Sequence, residues 1–453
     1  MTAGSGPDVV NTGDTGDTPS PSTVRLLLVL SLPSVVIGVV SALGLYVVER
    51  ITHTLEHMLW VDLPGAIGVD PHSGWWMFLI PSATGLLVGL TIWLVPGHGG
   101  QDSATVELIA PPPRLGTVPS IVIVAVLGLA GGVSLGPEAP IIAINTGILV
   151  AVFRRVWPGV PIPLVVLITA AGTVGALFGT PIAAALVFTG LVGTLFQRGA
   201  LWDQLFLPLL AAGAGAVTMN LVAEPSFALA LPSYTVIAPV DILTMSVIAV
   251  VGAGIGLAAA AVFPRIHAGF RLLRHPVLYV TAGGMLLGLL AVIGGPLTLF
   301  KGLAQMGELV NSRDEIPAPT LVVIVVVKVV ALLVSAAAGF RGGRIFPAVF
   351  IGVAVGVLAN ALAPGIPLTV AVAGGVLGTV LAVSRDGWIA IFIAVAVTGG
   401  TTILPVLCLA VLPTWLLVSR GPELIVHSPH AASDRPATDL PTSAPTRDGK
   451  DSP

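Results

Sequence analysis

The chain reads as long apolar runs separated by short polar breaks. Apolar stretches cover roughly 24–48, 76–96, 119–135, 140–157, 162–195 and 205–223. After a more polar interval they resume at 241–264, 276–299, 320–338, 345–363, 366–384, 387–398 and 402–419. Crossing about 30 Å of hydrocarbon takes about 20 helical residues, so several runs are too short to span alone. Gly or Pro interrupts many of them, and short, broken segments at matching places in two halves mark inverted repeats. The pattern predicts an all-α polytopic membrane protein with its membrane domain over 24–425. Repeat 1 is expected over about 24–223 and repeat 2 over about 235–425. The ends, 1–23 and 426–453, are rich in Gly, Ser, Thr, Asp and Pro and read as disordered tails. The first has no basic n-region, so it does not read as a cleavable signal peptide.

Composition sharpens this. The chain is 55% hydrophobic and only 9% charged, with a mean hydropathy of +1.01, more apolar surface than a soluble domain can hide. A net charge of -3 argues against nucleic acid as a partner. The single cysteine, Cys408, excludes an internal disulfide and a thiolate metal cluster, and its apolar surroundings suggest a packing residue.

The chemistry concentrates in GGVSLGPEAPIIAINT, Gly131 to Thr146. There Glu138 stands between Pro137 and Pro140, after Gly131, Gly132 and Gly136, whose spacing suits an irregular backbone. Within a membrane such backbone survives only where protein buries it or a cavity adjoins it, and an ionisable group at that depth points to function. The plainer reading makes Glu138 a helix cap satisfying free N–H groups. A matching element lies in the other half: Gly343-Arg344-Ile345-Phe346-Pro347 also opens a small-residue helix after a glycine-rich approach. Downstream, Gly179-Thr180-Pro181 pairs with Arg385-Asp386-Gly387. Two half-helices of opposite topology would aim their N-termini at one point near the midplane. Free N–H groups and positive dipole ends make such a point an anion site without a full positive charge. An ionised Glu138 would fill it; protonated or displaced, it would leave room for a permeating anion.

A third glycine element, Pro96-Gly97-His98-Gly99-Gly100-Gln101-Asp102, reads either as a surface turn or as a loop facing the same cavity. Lys328, alone in TLVVIVVVKVVALLV, either neutralises an anion or pairs with a buried acid or carbonyl. Arg341 and Arg344 either line a vestibule or cap loops, Arg385-Asp386 read as a turn and helix entry, and Glu107 as a solvent-facing or capping acid. No H-E-x-x-H, G-x-S-x-G or paired intramembrane aspartates supports an enzyme, and no cofactor is expected.

These motifs together resemble the CLC family of chloride channels and anion/proton antiporters, over about Arg25 to Ser419. Its G-[KR]-E-G-P element falls on Gly136, Pro137, Glu138, Ala139 and Pro140. Its G-x-F-x-P element falls on Gly343, Arg344, Ile345, Phe346 and Pro347, and its G-S-G-I-P element on Gly97, His98, Gly99, Gly100 and Gln101. The combination is most similar to a divergent bacterial branch of ion-transport proteins. The resemblance implies a CLC-like fold and an anion site where Glu138, Arg344 and Ile345 meet near His98. It further implies a homodimer in the cell membrane with one pore per subunit and both termini cytoplasmic. The substrate implied is chloride or another small inorganic anion; the lack of an acid at the inner proton-relay position favours passive or weakly proton-coupled movement.

The departures bear on mechanism. His98 replaces the serine that helps hold chloride, and Ile345 replaces the phenylalanine of the second motif while keeping its backbone N–H. The gate-lining tyrosine has no counterpart, and no acid stands near Gly190 and Leu191, where the antiporters carry their inner proton-relay glutamate. Two other readings therefore stay open: an exchanger selective for another small anion such as fluoride, and a transport-inactive or regulatory protein of the same fold.

Overall fold

The computed structural model describes residues 21–106, 110–195, 201–223 and 227–426. Sixteen α-helices form among them: α1 (Pro21–His57), α2 (Leu63–Ile67), α3 (Gly74–Leu94), α4 (Val118–Ala130), α5 (Glu138–Val156), α6 (Ile162–Phe178), α7 (Pro181–Leu195) and α8 (Leu201–Val222) precede the polar interval. After it come α9 (Pro239–Arg271), α10 (Pro276–Gly294), α11 (Leu303–Asn311), α12 (Ala318–Ala337), α13 (Ile345–Leu362), α14 (Leu368–Ser384), α15 (Gly387–Thr398) and α16 (Leu404–Val418). Eight helices are long and apolar enough to cross a membrane, whereas α6, α14, α15 and α16 are shorter.

Local sequence explains where these helices start and stop. Proline stands in the first turn of α4, α6, α9, α10, α12 and α16, where its missing N–H costs nothing. The apolar run 162–195 splits into α6 and α7 at Gly179, which takes a left-handed φ of 67°. In the second half Arg385 takes the equivalent left-handed position at the end of α14. Asp386 then caps α15, accepting the N–H groups of Trp388 and Ile389 at 2.8 and 3.0 Å. The expected turn and helix entry is therefore present.

The two halves are built alike. The contact of α1 with α6 and α8 recurs as that of α9 with α14 and α16, and α5 against α6 recurs as α13 against α14. The relation also makes α3 pack on its own counterpart α10, and α7 on α15. At the first of these crossings Gly85 and Gly284 face each other. A Cβ on Gly85 would sit 2.7 Å from the Val280 carbonyl oxygen, so only glycine admits this approach. Without a hydrophobic force between helices in lipid, such close backbone packing is what holds them together. Some buried hydroxyls donate within their own helices, as Thr146 to Ile142 O (2.7 Å) and Thr173 to Thr169 O (2.8 Å).

Large apolar side chains such as Leu28, Leu32, Leu221 and Leu412 are exposed, giving the molecule a lipid-facing exterior. Cys408 belongs to this exterior: it is exposed on α16 and does not pack inside as its apolar neighbours suggested. Of the expected tails, 1–20 and 427–453 lie outside the described residues, while α1 begins at Pro21, inside the span read as tail. Glu107 also lies outside the described residues.

Candidate functional site

Two irregular approaches meet at the centre of the helix assembly. Gly132 and Gly339, with φ of 85° and 86°, turn the chain after α4 and α12 into left-handed conformations that favour glycine. They are separated by the same 207 residues that separate Glu138 from Ile345. The approaches then pair: Gly136 N–H donates to Gly343 O and Gly343 N–H to Gly136 O, both at 2.8 Å. This two-residue antiparallel bridge, the only extended pairing among the described residues, fixes the starts of α5 and α13 against each other. The sequence placed the two motifs in symmetry-related positions; the tertiary structure puts them in contact.

Glu138, the first residue of α5, is 2% exposed. Its Oε1 accepts the Ile345 N–H at 2.9 Å, so the carboxylate of one repeat reaches the helix N-terminus of the other. Oε2 has no hydrogen-bond partner among the described residues. Glu138 borders a void of about 10 Å³ walled by Val174, Leu177, Phe178, Ile345, Ile389 and Phe392. The side chain thus satisfies a free N–H as a cap would, but across the repeat interface.

Two larger cavities approach this point. One, of about 340 Å³, is lined by Gly97, Gly99, Gly100, Ser103, Ala139, Pro140 and Arg341. The other, of about 500 Å³, is lined by Glu49, His53, Glu56, Lys301 and Phe346. The first lies beside the loop after α3 (Gly97–Ser103) and the second beside the end of α1 (Glu49–Glu56). Between the second and Glu138 stand Leu177 and an aromatic layer: Phe346 stacks on Phe178 with centroids 6.2 Å apart and planes 3° apart. Phe178 also meets Phe392 edge-on at 5.6 Å.

The remaining predicted residues divide. Gly97 and Gly99 line the first cavity, but His98 is turned away: its Nδ1 lies 2.8 Å from the Ile92 carbonyl and so must carry a proton to donate there. His98 is thus tied through Nδ1 to the end of α3, and its ring is exposed there instead of lining the cavity. Ser103, which the sequence reading passed over, holds the glycine loop to the second motif. Its Oγ accepts Gly342 N–H at 2.8 Å and donates to Gly342 O at 3.0 Å. Arg344 caps α13 through its backbone, while its guanidinium donates to Val106 O at 2.9 Å. Pro137 is the cap residue of α5.

Lys328 resolves to the carbonyl alternative. Fully buried, its ammonium donates to the carbonyls of Thr298 (3.1 Å), Leu299 (2.9 Å) and Phe300 (2.7 Å). That segment is tied to the Glu138 approach through Phe300 N–H to Gly132 O at 3.1 Å. It also delivers Lys301 to the second cavity, 3.1 Å from Glu49. A lone lysine in an apolar run signals a buried partner, but only the fold shows that the partner is a backbone turn.

The loop beyond α3 carries one more charged group, to which the sequence reading assigned no role. Asp102 pairs with Arg271, lies 3.2 Å from Arg341 Nη1 and 3.6 Å from His267 Nε2. Burial acts to raise its carboxyl, but His267, Arg341, Arg271 and the Ala104 N–H together hold it below the usual carboxylate range.

An all-α assembly of inverted repeats, with helix N-termini converging on a central carboxylate between two cavities, defines a membrane transport protein. Residues 84–418 match the voltage gated chloride channel family model, and the chain belongs to that family. Curated relatives named "Putative ion-transport protein YfeO" from Escherichia coli (strain SMS-3-5), Escherichia fergusonii and Shigella boydii serotype 4 are similar. Each is 43% identical over 405 residues, 89% of this chain and 96% of the relative. Among solved structures, a slow cyanobacterial Cl-/H+ antiporter matches with TM-score 0.71 at 16% identity, over 89% of this chain and 95% of that one. A CLC-type fluoride/proton antiporter matches with TM-score 0.67 at 19% identity, over 90% and 98%. The chain is thus a multi-pass CLC-family ion-transport protein with the CLC fold, and the family's work is transport rather than catalysis.

Proposed function

We propose that this protein conducts a small inorganic anion of the chloride type across the membrane through a pathway gated by Glu138. The observation that carries the reading is the bond from Ile345 N–H to Glu138 Oε1. It puts a negative group where the N-termini of α5 and α13 converge, the place an anion would be favoured. With the carboxylate there the pathway is occupied; with it protonated or swung away, an anion takes its place. Gly136, Ala139, Gly343 and Phe346 shape this site, and Gly97 and Gly99 line the approach from one side.

Transport in this reading is passive or weakly proton-coupled. Glu49, His53 and Glu56 give protons a titratable approach from one side, while α7 carries no acid at Gly190 or Leu191 to continue it on the other. The likeness to both a Cl-/H+ and a fluoride/proton antiporter keeps exchange of either anion as the second reading. The working unit is a homodimer in the cell membrane. The test is efflux of chloride, fluoride and nitrate from liposomes containing purified protein, with internal pH followed, for the parent and Glu138→Ala. Anion flux with little proton movement supports the proposal. Tight proton counter-movement that Glu138→Ala abolishes favours the exchanger, and no flux of any anion from either protein overturns transport.

A further inference from the structure

Lys328 is fully buried in α12 and belongs to the wall of neither large cavity. An ammonium has three N–H donors, and here the carbonyls of Thr298, Leu299 and Phe300 take all three. The ring of Phe350, on α13, closes another side at 4.9 Å from Nζ. The two repeats make this contact with different chemistry. Ile121 of α4 stands 207 residues before Lys328, the offset that relates Glu138 to Ile345. Each lies against a loop that opens on proline, Pro96 after α3 and Pro296 after α10. In the first repeat Ile121 meets Gly100, where a Cβ would come within 2.8 Å of its Cγ1. In the second, Lys328 meets Phe300, held at a φ of 59° that a bulky residue rarely takes. An apolar side chain closes the contact in one half, so the lysine answers a need of the second loop alone.

That loop reaches the site by two routes. Phe300 N–H donates to Gly132 O at 3.1 Å, on the approach to Glu138. Lys301 follows it into the second cavity, 3.1 Å from Glu49 and 5.8 Å from the centre of the Phe346 ring. Among the described residues lining that cavity it is the one permanent cation, beside Glu49 and Glu56. Carbonyl oxygens turned toward a pathway favour cations, and Lys328 gathers three of them onto itself. We infer that Lys328 is a positioning residue of the anion pathway. By holding the Thr298–Phe300 carbonyls it seats the approach to Glu138 and sets Lys301 at the second cavity. Its consequence for flux rests on the anion-transport reading, while the positioning itself stands without it.

The test compares the full-length parent with Lys328→Met, Lys328→Gln and Gly215→Ala. Each is followed by hydrogen exchange in detergent and by efflux from liposomes over a range of chloride concentrations. Gly215→Ala controls for lost packing, because its Cβ would press within 2.4 Å of Gly172 O where α8 crosses α6. Lys328→Met should speed exchange at 298–302 and also at 131–138, beyond any change in the control. It should raise the half-saturating chloride about five- to tenfold, the equivalent of about one hydrogen bond lost in placing the site. Lys328→Gln keeps two of the three donors, so it should fall between parent and Lys328→Met. It also carries the comparison if the methionine variant does not fold. Exchange at 131–138 no faster in the Lys328 variants than in Gly215→Ala would overturn the inference. So would half-saturation that stays at the parent value, since a merely structural lysine changes the amount of folded protein and not its chloride dependence. A parent without flux of any anion defeats the transport reading alone, and exchange then decides whether Lys328 positions the Glu138 approach.

Discussion

Replacing Glu138 by Ala removes the group that competes with an anion for the N-terminus of α13. The carboxylate holds one hydrogen bond at 2.9 Å from Ile345 N–H. A bond to a charged group contributes about 1.5–3 kcal/mol. It also stands at the N-terminal end of two helices, each worth about 0.3–1 kcal/mol to a negative charge. About 3 kcal/mol then favours the carboxylate in place, which at 1.4 kcal/mol per tenfold is a factor of about a hundred. Glu138→Ala should therefore bind chloride about a hundredfold more tightly than the parent at neutral pH. On acidification the parent should approach the variant, because a protonated acid no longer competes as an anion, while the variant stays flat. Isothermal titration of chloride into purified parent and variant, repeated across pH, measures both quantities. Affinities within threefold of each other at neutral pH, or a variant that keeps the parent's pH dependence, would refute the competition argument and leave Glu138 a structural cap.

Three further outcomes follow from the packing and the charged loop. Lys328→Met should lower stability by about 2–4 kcal/mol, since three buried carbonyls lose their donor while the cost of burying a charge is removed; an unchanged thermal midpoint in detergent would mean that those carbonyls have other donors. Gly85→Val should cost about 1–3 kcal/mol by forcing α3 off α10, whereas Gly254→Ala, with open space around its Cβ position, should be neutral or better; equal effects in thermal unfolding would refute the close-approach account. Asp102 is held below its unfolded value near 3.9, so its contribution is present above that pH and is lost as pH falls through the lower folded value. Asp102→Asn should cost about 3–5 kcal/mol at neutral pH by stranding buried cations and should flatten the acid limb of the stability profile, and a variant keeping the parent's acid limb would show that other carboxylates set it.

Much of the site was legible one residue at a time. Glu138 between two prolines, the paired G-x-x-x-P elements and the breaks at Gly179 and Arg385 all follow from local rules about irregular backbone and ionisable groups in apolar sequence. Those rules act on neighbours in the chain, so they hold before folding is known. His98 shows where motif alignment stops: the glycines around it set the loop's course, but its ring is claimed by Ile92 O, a partner fixed by how α3 ends. Ser103 and Asp102 carried no local signal, because their partners, Gly342 and Arg341, lie more than half the chain away.

The sequence by itself determined that this protein lives in a membrane, that its helices are broken, and that one carboxylate stands at a break. Mean hydropathy, proline and glycine placement and an isolated acid are enough, since each states a cost that any fold in lipid must meet. Only the tertiary structure decided that Glu138 bonds to the opposite repeat, that an aromatic layer on Phe346 divides it from one cavity, and that Arg341 pairs with Asp102 beside the other. Those are contacts between residues far apart in the chain, Glu138 and Ile345 by 207 positions, and their geometry comes from close glycine-mediated helix crossings that no local pattern encodes.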